Sequence, residues 1–149
     1  MVQGDVLLGG EESGGIGFSG HIPERDGIAA GLLLLEMLAM ERKPITSLVR
    51  QLVKEFGPHH YDRRDIHFPP DKRGELMAYL AKRPPTRLLT SPLARMLTYD
   101  GVKFVAQDGA WLMLRGSGTE PVLRIYAESE SKTGTRRLLE AGLQMTGKV

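Results

Sequence analysis

Arg115-Gly116-Ser117-Gly118-Thr119-Glu120-Pro121 gathers a guanidinium, two hydroxyls and two glycines in one short run. The planar fork of an arginine meets phosphate through two parallel hydrogen bonds. Ser117 and Thr119 add hydroxyl donors at alternate positions. Gly116 and Gly118 let the backbone fold tightly, so that N–H groups converge on an anion. The run is not a Walker A loop, because no Gly-Lys-Ser/Thr ending is present and a strand pattern follows it. On composition alone it serves equally well as a polar hairpin connection. A second run, Gly9-Gly10-Glu11-Glu12-Ser13-Gly14-Gly15, sets carboxylates and a hydroxyl between glycines. Carboxylates accept hydrogen bonds from sugar hydroxyls and repel phosphate, so this loop suits the neutral part of a ligand. Read blandly, it is a flexible acidic connector. Adjacent carboxylates in one loop do not face each other across a bond, which argues against glycosidase chemistry.

These loops need elements to hold them. Val6-Leu7-Leu8 reads as a short buried strand leading into the first loop. A helix capped by Asp26 runs through Ile28, Leu32, Leu35 and Leu38 and stops before Pro44. A second helix, capped by Thr46 or Ser47, places Leu48, Leu52 and Phe56 on one face and ends at Gly57-Pro58. Residues 58–70 turn polar and end in Pro69-Pro70, which reads as a linker. Residues 71–82 form a third helix burying Leu76, Tyr79 and Leu80. The period then changes. Residues 95–99, 102–106, 111–114 and 122–127 read as strands, with Asp100-Gly101 and Asp108-Gly109 as hairpin turns. Residues 131–146 close the chain as a helix. The pattern is a small antiparallel sheet with helices, an α+β fold.

Composition removes other classes. A net charge of +2, from 20 basic and 18 acidic side chains, does not suit a polyanion binder. Paired basic residues such as Lys72-Arg73 and Arg136-Arg137 read as solvated helix ends. With no cysteine, disulfides and thiolate chemistry are excluded. His59, His60, Asp62 and His67 lack the helical pairing of a metal site. Trp111, Tyr99, Phe104 and Tyr126 fall at strand spacing, which favours core over a nucleic-acid stacking platform. The start of the chain has no signal-peptide pattern, and the apolar run at 28–35 is too short to span a membrane.

The two loops, in this order, carry a resemblance. Gly10-Glu11-Glu12-Ser13-Gly14-Gly15 is similar to the sugar-binding loop in the third domain of the α-D-phosphohexomutases, the phosphoglucomutase/phosphomannomutase family. Arg115 to Pro121 resembles the phosphate-binding loop of their fourth domain, and Gly17-Phe18 with His21 to Gly27 resembles the segment that follows the sugar loop. Many relatives carry Pro where this chain has Gly116, and mannose-accepting relatives often carry His where it has Gly15. The resemblance implies that Glu11 and Ser13 hold sugar hydroxyls. It implies that Arg115, Gly116, Ser117, Gly118 and Thr119 grip phosphate, with Arg25 as a further phosphate contact.

It also implies a domain plan. Residues 1–57 would be the tail of an α/β sugar-binding domain, its strand, loop and helices; 58–70 a linker; and 71–149 a phosphate-binding domain with a TATA-binding-protein-like fold. The family transfers phosphoryl from a phosphoserine, aided by Mg2+ on an aspartate loop. No Ser-His-Asn-Pro-like segment and no Asp-Gly-Asp run occurs here, so neither a catalytic residue nor a metal ligand is expected. The expectation is the C-terminal substrate-binding portion of a cytoplasmic phosphoglucomutase-type isomerase, inactive alone and binding no cofactor. Its partners would be glucose 1-phosphate, glucose 6-phosphate and the N-terminal domains of the same enzyme, not nucleic acid or membrane. A stand-alone sugar-phosphate module and a nucleic-acid-binding domain are the competing readings.

Overall fold

The computed structural model describes residues 6–11 and 13–147. Glu12, part of the first loop, therefore lies outside the described residues. The chain divides into two units, Met1–Leu52 and Val53–Val149.

In the first unit, β1 (Leu8–Gly10) pairs antiparallel with β2 (Ile16–Phe18), with Leu8 opposite Phe18 and Gly10 opposite Ile16. The strand begins later than its apolar residues suggest, and it is not buried: Leu7 and Leu8 are 82% and 62% exposed. A two-stranded ribbon has no second layer of its own in which to bury them. Helix α1 (Gly27–Glu41) starts where the sequence places it. The Asp26 carboxylate accepts from the N–H groups of Ile28 and Ala29 at 3.0 and 2.9 Å, satisfying two of the helix's free donors. Helix α2 (Ile45–Phe56) begins directly after Pro44, whose carbonyl accepts from the Ser47 N–H at 2.9 Å. Both helices have apolar positions at helical spacing, yet neither contains a buried residue.

The second unit is built on a six-stranded antiparallel sheet in the order β3-β8-β7-β6-β5-β4. Its strands are β3 (His60–His67), β4 (Arg87–Leu88), β5 (Ser91–Leu97), β6 (Val102–Ala106), β7 (Trp111–Gly116) and β8 (Val122–Ser129). Helices α3 (Arg73–Lys82) and α4 (Lys132–Thr146) supply its other apolar layer. Alternation explains the core. Val102, Phe104 and Ala106 of β6, Leu112 and Leu114 of β7, and Leu123, Ile125 and Ala127 of β8 are buried with Leu76, Leu80, Leu138 and Leu139 of the helices. Each large side chain so buried contributes roughly 1.5–3 kcal/mol. Helix α4 comes very close to the sheet: a Cβ on Gly142 would meet Ile125 Cγ2 at 2.6 Å and Leu112 Cδ1 at 3.1 Å.

This is the α+β architecture that the alternation predicts, with one correction. Residues 58–70, expected to be a linker, contain β3, which pairs with β8 along its whole length from His60–Ser129 to His67–Val122. An edge strand bonds on one side only and needs few apolar residues, so His60–His67 has the composition of a connection. Thr135 Oγ1, in the first turn of α4, donates to the His60 carbonyl at 2.5 Å and ties helix to edge. The aromatic residues separate: Phe104 is core, Tyr99 is fully exposed, and Trp111 lies partly exposed beneath Lys103, whose Nζ is 3.8 Å from the ring centre. Burial pushes the Lys103 ammonium below its ordinary range. No helix of the described residues is long and apolar enough to cross a membrane.

Candidate functional site

The first loop folds into a turn. The Gly14 N–H donates to the Glu11 carbonyl at 3.0 Å, and the Glu11 N–H to the Gly15 carbonyl at 2.9 Å. Arg25 Nη1 then reaches both carboxylate oxygens of Glu11, at 2.8 and 2.7 Å, while Arg25 Nε donates to Glu24 at 3.0 Å. The Ser13 hydroxyl donates to Glu11 Oε2 at 3.0 Å. Gly15 makes this possible, since a Cβ there would stand 2.7 Å from Arg25 Cδ. Glu11, Ser13 and Arg25 are thus brought together beside an open depression of about 350 Å³, lined by Gly10, Glu11, Gly15, Pro23, Glu24 and Arg25. The hydrogen bonds from Arg25, and then from Ser13, hold the Glu11 carboxyl below its ordinary value, and the same pairing raises the Arg25 guanidinium. Asp26 is lowered by the Ala29 N–H first and by His21 second, whose Nε2 lies 2.9 Å from Oδ2.

The second loop joins β7 to β8. Arg115 stands opposite Arg124 in the sheet register. Like charges so placed repel, and each has a carboxylate beside it. Arg115 Nε lies 3.1 Å from Asp100, and Arg124 lies 3.3 Å from Glu120 and 3.8 Å from Asp65. These pairs are substantially exposed, so each is worth about 0–1 kcal/mol. Ser117 is buried: its N–H donates to the Val122 carbonyl at 2.9 Å, and its hydroxyl accepts from the Glu120 N–H at 3.3 Å. Gly118 and Thr119 are exposed, and among the described residues their N–H groups have no partner. The loop therefore carries an exposed arginine and two unpartnered amides, donors suited to an anion, while the buried Ser117, expected among the phosphate contacts, is spent on bracing the turn.

Three neighbours of this loop were not singled out from the sequence. Arg73 donates from Nη1 to the Ser117 carbonyl and from Nη2 to the Glu120 carbonyl. It was expected to be part of a solvated helix end, and its partly buried contact with the loop corrects that reading. Asp100, a hairpin-turn residue by its sequence, is the carboxylate partner of Arg115. The turn itself leans on the loop: Gly101 has φ of 94°, and a Cβ there would lie 2.4 Å from the Leu114 carbonyl oxygen. Arg124 could have been found by pairing the two strands. The His59-His60 segment forms no metal site. His59 Nδ1 lies 3.0 Å from Glu128, which raises the imidazole pKa. Among the described residues no group of His, Cys, Asp or Glu is arranged to hold a metal ion. The described residues thus offer no cluster that fits a magnesium centre.

Comparisons with known proteins bear on both units. The domain description "Phosphoglucomutase/phosphomannomutase, alpha/beta/alpha domain III" matches residues 1–56, and "Phosphoglucomutase/phosphomannomutase, C-terminal domain" matches residues 71–143. The chain is similar to a phosphoglucomutase/phosphomannomutase of Thermococcus kodakarensis, with 29% identity over 97% of this chain and 29% of that protein. It is similar to a phosphoglucosamine mutase of Methanocaldococcus jannaschii, with 31% identity over 97% of this chain and 30% of that protein. A phosphoglucomutase of Komagataeibacter xylinus is 32% identical over 87% of this chain and 26% of its own length. In fold the chain resembles the crystal structure of a phosphoglucomutase/phosphomannomutase family protein from Burkholderia thailandensis, with a TM-score of 0.66 at 21% identity, covering 94% of this chain and 28% of that one. The chain thus spans less than a third of the length of these relatives. With both domain descriptions matched in sequence order, the chain belongs to the phosphoglucomutase/phosphomannomutase family.

Proposed function

We propose that these residues form the sugar-grip and phosphate-grip portion of a phosphohexomutase that interconverts hexose 1-phosphate and hexose 6-phosphate through a bisphosphate. One observation supports this most: the loop after β7 offers Arg115 with the free N–H groups of Gly118 and Thr119, inside the segment that matches the family's C-terminal domain. Such donors bind and position phosphate but make and break no bond. In the proposed cycle they hold whichever phosphate is not reacting, in two orientations of the sugar. Gly116 and Gly118 let the backbone follow the ligand, Ser117 braces the loop, and Thr119 adds a hydroxyl. Glu11 and Ser13 accept and donate to sugar hydroxyls, and Arg25 holds the Glu11 carboxylate ionised and aimed; a phosphate contact would require Arg25 to leave it.

No nucleophile or metal loop of the family's kind occurs in these residues, so phosphoryl transfer and its Mg2+ are assigned to other parts of the enzyme, and this chain alone is expected to be inactive. Glucose 1-phosphate and glucose 6-phosphate are the proposed ligands. Because several relatives are named as phosphoglucosamine mutases, glucosamine phosphates are the comparison to make. The test is an NMR titration of the labelled chain with glucose 6-phosphate, glucosamine 6-phosphate, inorganic phosphate and glucose. Saturable shifts in residues 115–119 with the phosphate compounds are expected, at about millimolar affinity, roughly 4 kcal/mol. Arg115→Ala should abolish them. Shifts with glucose alone, or none in this loop, would count against the assignment.

A further inference from the structure

We infer that Arg73 is the positioning residue of the phosphate-grip loop, holding it with the free Gly118 amide turned away from the tether; its relevance to ligand binding rests on the reading above. Arg73 opens α3, directly after the 3-10 turn Pro70–Lys72. Its guanidinium reaches from the Ser117 carbonyl to the Glu120 carbonyl, so one rigid fork bridges the two ends of the turn. Its stem lies against the loop, where a Cβ on Gly116 would stand 2.9 Å from Arg73 Cδ.

Covalent geometry supplies the consequence. In a planar trans peptide the C=O and the following N–H point in opposite directions. Fixing the Ser117 carbonyl toward Arg73 therefore aims the Gly118 N–H away from it. The other tethered carbonyl belongs to Glu120 and is followed by Pro121, which has no N–H to misplace. The fork consumes carbonyls and leaves amides, which is the polarity an anion requires. Its charge also differs from its neighbours' charges. Arg115 and Arg124 each sit beside a carboxylate, whereas among the described residues none is paired with Arg73. A lysine would keep the charge, but its compact ammonium cannot bridge two carbonyls in one plane. Gly116 and Arg73 form one device, since any side chain at 116 displaces the arginine's stem.

The experiment uses the full 149-residue chain as wild type, Arg73→Ala, Arg73→Lys and Gly116→Ala, with two readouts. Amide hydrogen exchange without ligand reports the loop alone, and NMR titration with inorganic phosphate reports binding. In Arg73→Ala the N–H groups of Ser117 and Val122, both bonded within the loop, should exchange about tenfold faster, while those of Leu112 and Ile125 keep wild-type rates. Phosphate binding should weaken about tenfold, the usual scale for losing a charged hydrogen bond. Arg73→Lys should recover part of the binding but not the exchange protection, and Gly116→Ala should resemble Arg73→Ala in both. Unchanged exchange at Ser117 and Val122 in Arg73→Ala would overturn the inference, as would acceleration spread evenly over the sheet. Should wild type ignore phosphate while Arg73→Ala still loosens the loop, the positioning claim stands and the phosphate-grip reading falls.

Discussion

The two candidate loops are held in opposite ways. In the first unit, the turn around Glu11 is fixed by exposed charges, Arg25 against Glu11 and Glu24, on a two-stranded ribbon with Leu7 and Leu8 uncovered. In the second, the turn around Ser117 grows from two central strands whose inner face is closed by Leu112, Leu114, Leu123 and Ile125. The first is organised by electrostatics that water and salt weaken. The second rises from strands fixed by packing, and the Arg73 guanidinium ties its turn to α3. A binding loop inherits the rigidity of what lies beneath it, so the second loop is the more preformed of the two.

The largest expected effect tests the packing side. Phe104→Ala removes a fully buried ring from β6 and should cost about 3–5 kcal/mol in urea unfolding. Leu32→Ala, in an α1 position 63% exposed, should cost within about 0.5 kcal/mol. Equal losses would erase the contrast. Next, Gly142→Ala forces a methyl between α4 and Ile125 and should cost about 1–3 kcal/mol in the same assay. If it stabilises instead, the helix is not pressed onto the sheet. Smaller again, Asp100→Asn frees Arg115 from its carboxylate and should tighten phosphate binding by roughly two- to fivefold, the scale of an exposed ion pair. Weaker binding in that variant would mean that Asp100 orients the guanidinium rather than competing for it.

The smallest effect is one of pH, and its sign differs between the units. Glu11 titrates below its ordinary 4.5 in the folded chain, so its pairing with Arg25 is complete above that value and is lost as pH falls through the lowered pKa. His59 titrates above its ordinary 6.5, so its pairing with Glu128 is complete below that value and is lost as pH rises through the raised pKa. Carboxyl and imidazole NMR titrations would show acid loosening the first unit's turn and alkali releasing the second unit's His59. Arg25→Ala should raise Glu11 toward its ordinary value, with the Ser13 hydrogen bond keeping part of the lowering. A normal Glu11 titration in the wild type would remove the electrostatic account of that turn.

Much of this was legible in the residues. The helix start at Asp26 and the alternation through Val102, Phe104 and Ala106 are local signals, and the structure shows both elements. The glycine-rich loops announced themselves through composition, and in the first of them Glu11, Ser13 and Arg25 are hydrogen-bonded together. Two things were hidden for a physical reason. The polar segment His60–His67 becomes a strand only because β8 offers a matching ladder, and pairing across such a distance leaves no mark on the segment's own composition. Arg73 meets a carbonyl 44 residues away, and one basic side chain at a helix start looks like any other. Side chains that act on backbone atoms are harder to foresee than those that act on ligands.

The outer edge of β3 bears on how the molecule behaves in crowded solution. An open strand edge is a template for another chain's backbone, and fibrils grow by that route. Here the edge carries Asp62, Arg63, Arg64 and Asp65 in direct succession, with Arg63 and Asp65 paired at 2.9 Å. These exposed charges, on both faces of the strand, disfavour a second strand docking alongside. At the other end of the sheet β4 offers only Arg87 and Leu88, too short a template to extend. The charges of His60–His67 thus make this edge a poor template for a further strand.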